Sequence, residues 1–149
     1  MKTGTTCSFE MSKELPMFGK FKSISQSGAK ENMMLLGVPE AMANELAGGE
    51  IRMEFQHKGP MVRYQYHTKS QNLDIMFKWD EETCFVDPVL NETCHMVATK
   101  TGGNCVKVVT KMPHATIVAN CTFNPNFVVE KCCIEGLDCM PWTVIYKRC

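Results

Sequence analysis

From Glu50 to the end of the chain, apolar and polar residues alternate, and this period of two predicts strands with one buried face. Ile51, Met53 and Phe55 alternate with Arg52, Glu54 and Gln56; Val62, Tyr64 and Tyr66 with Arg63, Gln65 and His67; Leu73, Ile75 and Phe77 with Asn72, Asp74 and Lys78. Further strands are predicted over 83–87, 93–100, 105–110, 115–122, 127–133 and 141–148, and an earlier one over 17–25. Turn chemistry separates them at Lys58-Gly59-Pro60, Asp87-Pro88, Gly102-Gly103, Lys111-Met112-Pro113, Asn124-Pro125-Asn126 and Glu135-Gly136. Only 29–47 carries apolar residues at helical spacing. Gly37 and Pro39 interrupt it, because glycine ends a helix in the left-handed region and proline suits the first turn of the next. Gly48-Gly49 stops the second helix. The prediction is a strand, two short helices, then nine more strands.

Many short strands at regular spacing predict an all-β fold, a barrel or a sandwich. At 149 residues the chain is expected to form one domain, with residues 1–12 as a flexible N-terminal extension. Sixteen basic and sixteen acidic residues cancel and no long run of like charge stands out, which speaks against nucleic acid as a partner. The first sixteen residues contain no apolar core of the secretory type and no stretch is long enough to span a bilayer, so a cytoplasmic location is expected. The alternative is secretion, if a leader has been removed; nine cysteines and the sequons at Asn91 and Asn120 would then suit a disulfide-bonded, lipocalin-like binding or storage protein.

Catalytic and metal chemistry find little support in the residue spacing. There is no Cys-x-x-Cys pair, and His57, His67, His95 and His114 are scattered, so no metal site is expected. Cys94 and His95 are neighbours on a strand, where successive side chains point to opposite faces and do not hydrogen-bond to each other. No enzyme activity and no cofactor are expected.

The order of elements resembles that of the intracellular lipid-binding proteins, the fatty-acid-binding and cellular retinoid-binding proteins. Local segments agree: Lys13 to Lys22 (KELPMFGKFK) resembles the opening of that family, with Phe21 where a tryptophan commonly stands; Asn32 to Val38 (NMMLLGV) resembles its first lid helix; Val128-Val129-Glu130 and Ile145-Tyr146 resemble its last two strands. The N-terminal stretch and a few residues between Ile134 and Met140 exceed the usual length. The resemblance implies a closed, ten-stranded, antiparallel up-and-down barrel with a two-helix lid between the first and second strands, and a monomeric carrier of one hydrophobic small molecule with transient membrane contact through the helix pair.

In that family two arginines and a tyrosine usually hold a fatty-acid carboxylate. Here only Tyr146 matches; Val144 and Ala119 stand where the arginines are expected. A buried carboxylate without charged or hydrogen-bonding partners is costly, so a neutral or conjugated ligand such as a retinoid, carotenoid or terpenoid competes with a fatty acid as the expected cargo. If Ala119 points inward, Ile117 does too, and without a bulge Val129 and Lys131 share that parity on the next strand. Lys131 is then either a relocated cation or, after a one-residue slip, an ordinary solvated lysine. Tyr146 either meets the ligand or bonds to protein. Met33, Val38, Met53, Tyr64, Tyr66, Ile75, Phe77 and Trp142 complete the expected lining; the methionines either adapt to a bulky ligand or plug the lid onto the barrel.

Overall fold

The computed structural model describes residues 17–138 and 140–149. The N-terminal extension expected over 1–12 lies outside the described residues. Strand β1 (Gly19–Ser27) leads to helices α1 (Ala29–Leu35) and α2 (Glu40–Gly48). Nine strands follow: β2 (Arg52–Lys58), β3 (Met61–His67), β4 (Asn72–Phe77), β5 (Thr83–Asp87), β6 (Glu92–Lys100), β7 (Cys105–Lys111), β8 (Thr116–Phe123), β9 (Phe127–Ile134) and β10 (Trp142–Arg148). All ladders are antiparallel and join sequence neighbours, except that β10 returns to pair with β1, so the sheet runs β4-β3-β2-β1-β10-β9-β8-β7-β6-β5. The ten-stranded barrel that the resemblance implies is therefore present. Its one open seam lies between β4 and β5, the two ends of the sheet order.

Strand β1 begins and ends two residues later than its sequence pattern indicates, and it carries a bulge between Ser23 and Ser25. The bulge leaves Ile24 exposed and reverses the parity beyond it, so that Gln26 stands opposite Val144. The end of the barrel remote from the helices is filled by aromatic rings. Phe123 meets Phe21 and Phe55 edge-on, with ring centroids 6.1 and 5.7 Å apart, and Phe55 stacks on Tyr64 at 4.9 Å. Arg148 closes that end: its guanidinium lies 4.7 Å from the centre of the Phe21 ring and donates to the carbonyls of Phe18 and Pro125, both at 2.7 Å.

At the opposite end the helices form the lid. Gly37, at φ 100°, ends α1 in the left-handed region. Its N–H donates to Met34 and that of Val38 to Met33, both at 3.0 Å, which satisfies two last-turn carbonyls. Pro39 caps α2 one residue before the helix starts. Ala29, Met33, Val38, Ala43 and Leu46 pack together and against Val89, Leu90 and Trp142, which joins the lid to the β5–β6 turn and to the start of β10. Gly28 is required before α1: at φ 72° it sits so close to the Pro141 carbonyl that a Cβ there would collide with it. Asn32, completely buried, donates from Nδ2 to the carbonyls of Gly28 at 2.7 Å and Met140 at 2.8 Å. Asn32→Ala is expected to lower stability by about 1 kcal/mol, because the two side-chain hydrogen bonds that tie α1 to Met140, just before β10, and to its own start are lost; a denaturant midpoint equal to wild type would contradict this.

Candidate functional site: the barrel cavity

The inward faces of the strands and the underside of the lid enclose a cavity of about 280 Å³. Of the expected lining residues, Tyr146, Val144, Ala119, Trp142, Ile117, Met33, Val38, Met53, Tyr64, Tyr66, Ile75 and Phe77 all border it. Val129 and Lys131 do not. The β8–β9 ladder sets Cys121 opposite Glu130 and Ala119 opposite Cys132, and residues directly opposite across a ladder share a face. It is therefore Glu130 and Cys132 that enter the cavity, while Lys131 is exposed on the outer face. Of the two readings of Lys131, the solvated lysine after a one-residue slip is the one observed, and the charged residue that enters the cavity from this strand is an acid.

Glu130 makes two contacts inside the barrel. The Tyr146 hydroxyl donates to Oε1 at 3.2 Å and the Cys121 thiol to Oε2 at 3.8 Å. Burial pushes the Glu130 carboxyl above the usual carboxylate range, and the two hydrogen bonds oppose that rise. Desolvation, reinforced by the charge of Glu130, likewise raises Tyr64, Tyr66 and Tyr146, so all three phenols remain protonated donors at neutral pH. Among the described residues no lysine, arginine or histidine lines the cavity, and the second acidic group there, Asp87, accepts the backbone N–H of Val89 at 3.1 Å and of Leu90 at 2.7 Å. That bonding shapes the β5–β6 turn beneath the lid.

Two further polar atoms on lining residues are buried without a hydrogen-bond partner among the described residues: the indole Nε1 of Trp142, a donor, and Oε1 of Gln26, an acceptor. Gln26 is held in place by its amide nitrogen, which donates to Leu46 and Gly49, both at 3.1 Å. Both atoms sit toward the lid, since Trp142 packs on the lid cluster and Gln26 bonds the end of α2.

The seven described cysteines are free thiols. Three line the cavity, and each is pushed up by burial: Cys94 to about 11, with Asp87 adding to the effect, and Cys121 and Cys132 further, aided by Glu130. The thiolate is the nucleophile. Alkylation by iodoacetamide at pH 8, followed by peptide mass spectrometry, is expected to modify the exposed Cys84, Cys133 and Cys149 at least roughly tenfold faster than these three. Uniform rates would contradict the burial described. Cys94 is buried while His95 lies on the outer face, so the adjacent pair does not form a nucleophile and base. No helix among the described residues is long and apolar enough to cross a membrane.

No family model matches the chain, and no curated protein matches it in sequence. Solved structures do match. A Schistosoma mansoni fatty acid binding protein in complex with arachidonic acid superposes with a TM-score of 0.82 at 18% identity, covering 90% of this chain and 96% of that one. Echinococcus granulosus fatty-acid-binding protein 1 gives 0.80 at 13% identity, over 89% and 97%. A secretary abundant heat soluble protein from Ramazzottius varieornatus gives 0.78 at 18%, over 90% and 96%. The barrel, the placement of the helix pair and these neighbours agree with the resemblance read from the sequence: the chain has the fold of the fatty-acid-binding proteins.

Proposed function

We propose that the protein carries one hydrophobic molecule inside the barrel, and that the polar end of this cargo is a neutral group rather than a carboxylate. The observation that carries this reading is the buried Glu130–Tyr146 pair in a cavity whose described lining holds no cation. A fatty-acid anion would meet no positive partner there. If Glu130 is ionised, like charges at about 4 Å cost on the order of 4 kcal/mol at an effective dielectric of about 20. If it is protonated, it offers a hydrogen bond but no charge. A hydroxyl, carbonyl or ether suffers neither penalty, and the unpaired Trp142 Nε1 and Gln26 Oε1 add a donor and an acceptor for such a group. The apolar part of the ligand supplies affinity at roughly 25 cal/mol per Å² buried, enough to outweigh the losses of association. Among the expected cargo classes, alcohols of the retinoid, carotenoid, sterol and terpenoid kinds carry such a group.

In this reading the protein is a monomeric cytoplasmic carrier without cofactor or catalytic role. Ligand passes between the helix pair and the turns at 68–71 and 87–90. The first turn is fixed by Thr68, whose Oγ1 accepts the N–H of Gln71 at 3.0 Å, and the second by Asp87. Exposed Met34 and Leu35 on α1 provide the contact with a membrane during delivery. Native mass spectrometry of protein purified from its source, with solvent extraction and an absorbance spectrum of what is released, tests the proposal. One neutral or conjugated lipid per chain is the expected result. A stoichiometric fatty acid, or a protein that refuses every neutral lipid offered, overturns it.

A further inference from the structure

On the outer face of the barrel, beside the open seam, β5 and β6 pair so that Cys84 stands directly opposite His95. The adjacent pair Phe85 and Cys94 points into the cavity, which sends Cys84 and His95 outward. Glu82, on the connection just before β5, reaches the same place. Cys84 Sγ lies 3.0 Å from His95 Nδ1, and Glu82 Oε2 lies 3.3 Å from that same nitrogen. The three donor atoms all fall within 4.8 Å of one another.

This convergence is not that of a nucleophile activated by a base. In a triad the imidazole divides its two nitrogens, one toward the nucleophile and the other toward the carboxylate that orients it. Here thiol and carboxylate both approach Nδ1, which carries either one proton or one lone pair and so bonds well to only one of them. A cation among the three atoms satisfies all of them together. We propose that Glu82, Cys84 and His95 form a surface site for a borderline-soft divalent metal ion, Zn²⁺ above all, with one coordination position left open.

The chemistry of the donors favours zinc. Thiolate, imidazole and carboxylate are its ordinary ligands, whereas calcium and magnesium take oxygen ligands. Tetrahedral coordination at ordinary zinc–ligand lengths sets S···N at about 3.6 Å and N···O at about 3.4 Å. The observed 3.0 and 3.3 Å need only small side-chain adjustments. Such movement is open to these groups, since the side chains of His95 and Glu82 are 44% and 57% exposed. Binding proceeds with Cys84 as thiolate, its proton passing to solvent; no electron is transferred. The bound ion would tie the β4–β5 connection to β6 where the barrel lacks a ladder, so metal is expected to raise the melting temperature.

The test is competition for Zn²⁺ between the reduced full-length protein and a chromophoric chelator, together with Co²⁺ substitution read by its thiolate charge-transfer band. One equivalent bound at micromolar affinity or tighter is expected. Cys84→Ser and His95→Gln should each weaken it by at least about tenfold and abolish or alter the Co²⁺ spectrum. Glu82→Gln should weaken it less, and Cys133→Ser, at another exposed thiol, should not change it. All four positions are exposed, and circular dichroism verifies that each variant is folded. Equal Zn²⁺ affinity in Cys84→Ser, loss in Cys84→Ser but not in His95→Gln, or no binding of micromolar affinity or tighter each overturns the proposal.

Discussion

The double variant Glu130→Gln, Val144→Arg is expected to bind a long-chain fatty-acid anion on the order of 100-fold more tightly than the wild-type protein. Val144 lies in the cavity wall directly opposite Glu130 in the β9–β10 ladder. An arginine placed there alone meets the Glu130 carboxyl first. The two form an ion pair, little positive charge remains for a ligand, and Val144→Arg by itself is expected to change fatty-acid affinity by less than about threefold. Replacing Glu130 with glutamine removes the competitor and any repulsion while keeping an acceptor for Tyr146. The guanidinium is then free to receive the carboxylate beside a phenol that donates. Displacement of a fluorescent fatty acid from wild type, both single variants and the double variant completes the cycle. Additive effects would show that Val144 and Glu130 do not share one electrostatic site.

Glu130→Gln should also change how stability depends on pH. The Glu130 carboxyl holds its proton to higher pH in the folded protein than in the unfolded chain, because burial outweighs its two hydrogen bonds. As pH rises, the unfolded state therefore deprotonates first. The contribution of this group is fully present below the unfolded value, about 4.3, and is lost as pH climbs through the folded one. Glutamine has no such dependence. The variant is expected to match wild type near pH 4 and to exceed it at pH 8. Urea denaturation at the two pH values measures this, and the difference between variant and wild type cancels the titration of every other group. A variant less stable than wild type at pH 8 would mean that ionised Glu130 is well accommodated where it stands.

The strands were legible in the sequence because most have one apolar and one polar face, and it was their order around the helix pair that pointed to a barrel. On β2 and β3 the alternation fixes parity without help from neighbours, and Met53, Tyr64 and Tyr66 line the cavity as expected. Strand β9 has no such contrast. Its even positions, Val128, Glu130, Cys132 and Ile134, and its odd ones, Phe127, Val129, Lys131 and Cys133, each contain one charge among apolar residues and thiols. Polarity alone leaves the choice of face open. The deciding information is the hairpin: Asn124 donates to the Phe127 carbonyl at 2.7 Å, and Phe123 pairs with Val128. Counting outward from that turn sets Glu130 opposite Cys121, a signal present in the loop length.

Two other features lay beyond the pattern. The β1 bulge brings Gln26 inward, and Ile24, an apolar residue left exposed there, is its only trace in the sequence. The Glu82–Cys84–His95 cluster depends on which residues meet across β5 and β6. The adjacency of Cys94 and His95 drew attention to a pair that faces opposite ways, whereas the partner that reaches His95 is eleven positions distant.

A neutral cargo in a cavity furnished with an acid is tested most directly by a matched pair of ligands. Hexadecanol and hexadecanoate bury the same chain and differ only in the polar end, so their relative affinity isolates the head group. Both would be titrated at pH 7.5 by displacement of an apolar fluorescent probe from delipidated protein. The alcohol is expected to bind at least about tenfold more tightly than the acid. Equal affinity, or preference for the acid, would contradict the assignment of Glu130 and Tyr146 as the anchor of an uncharged ligand.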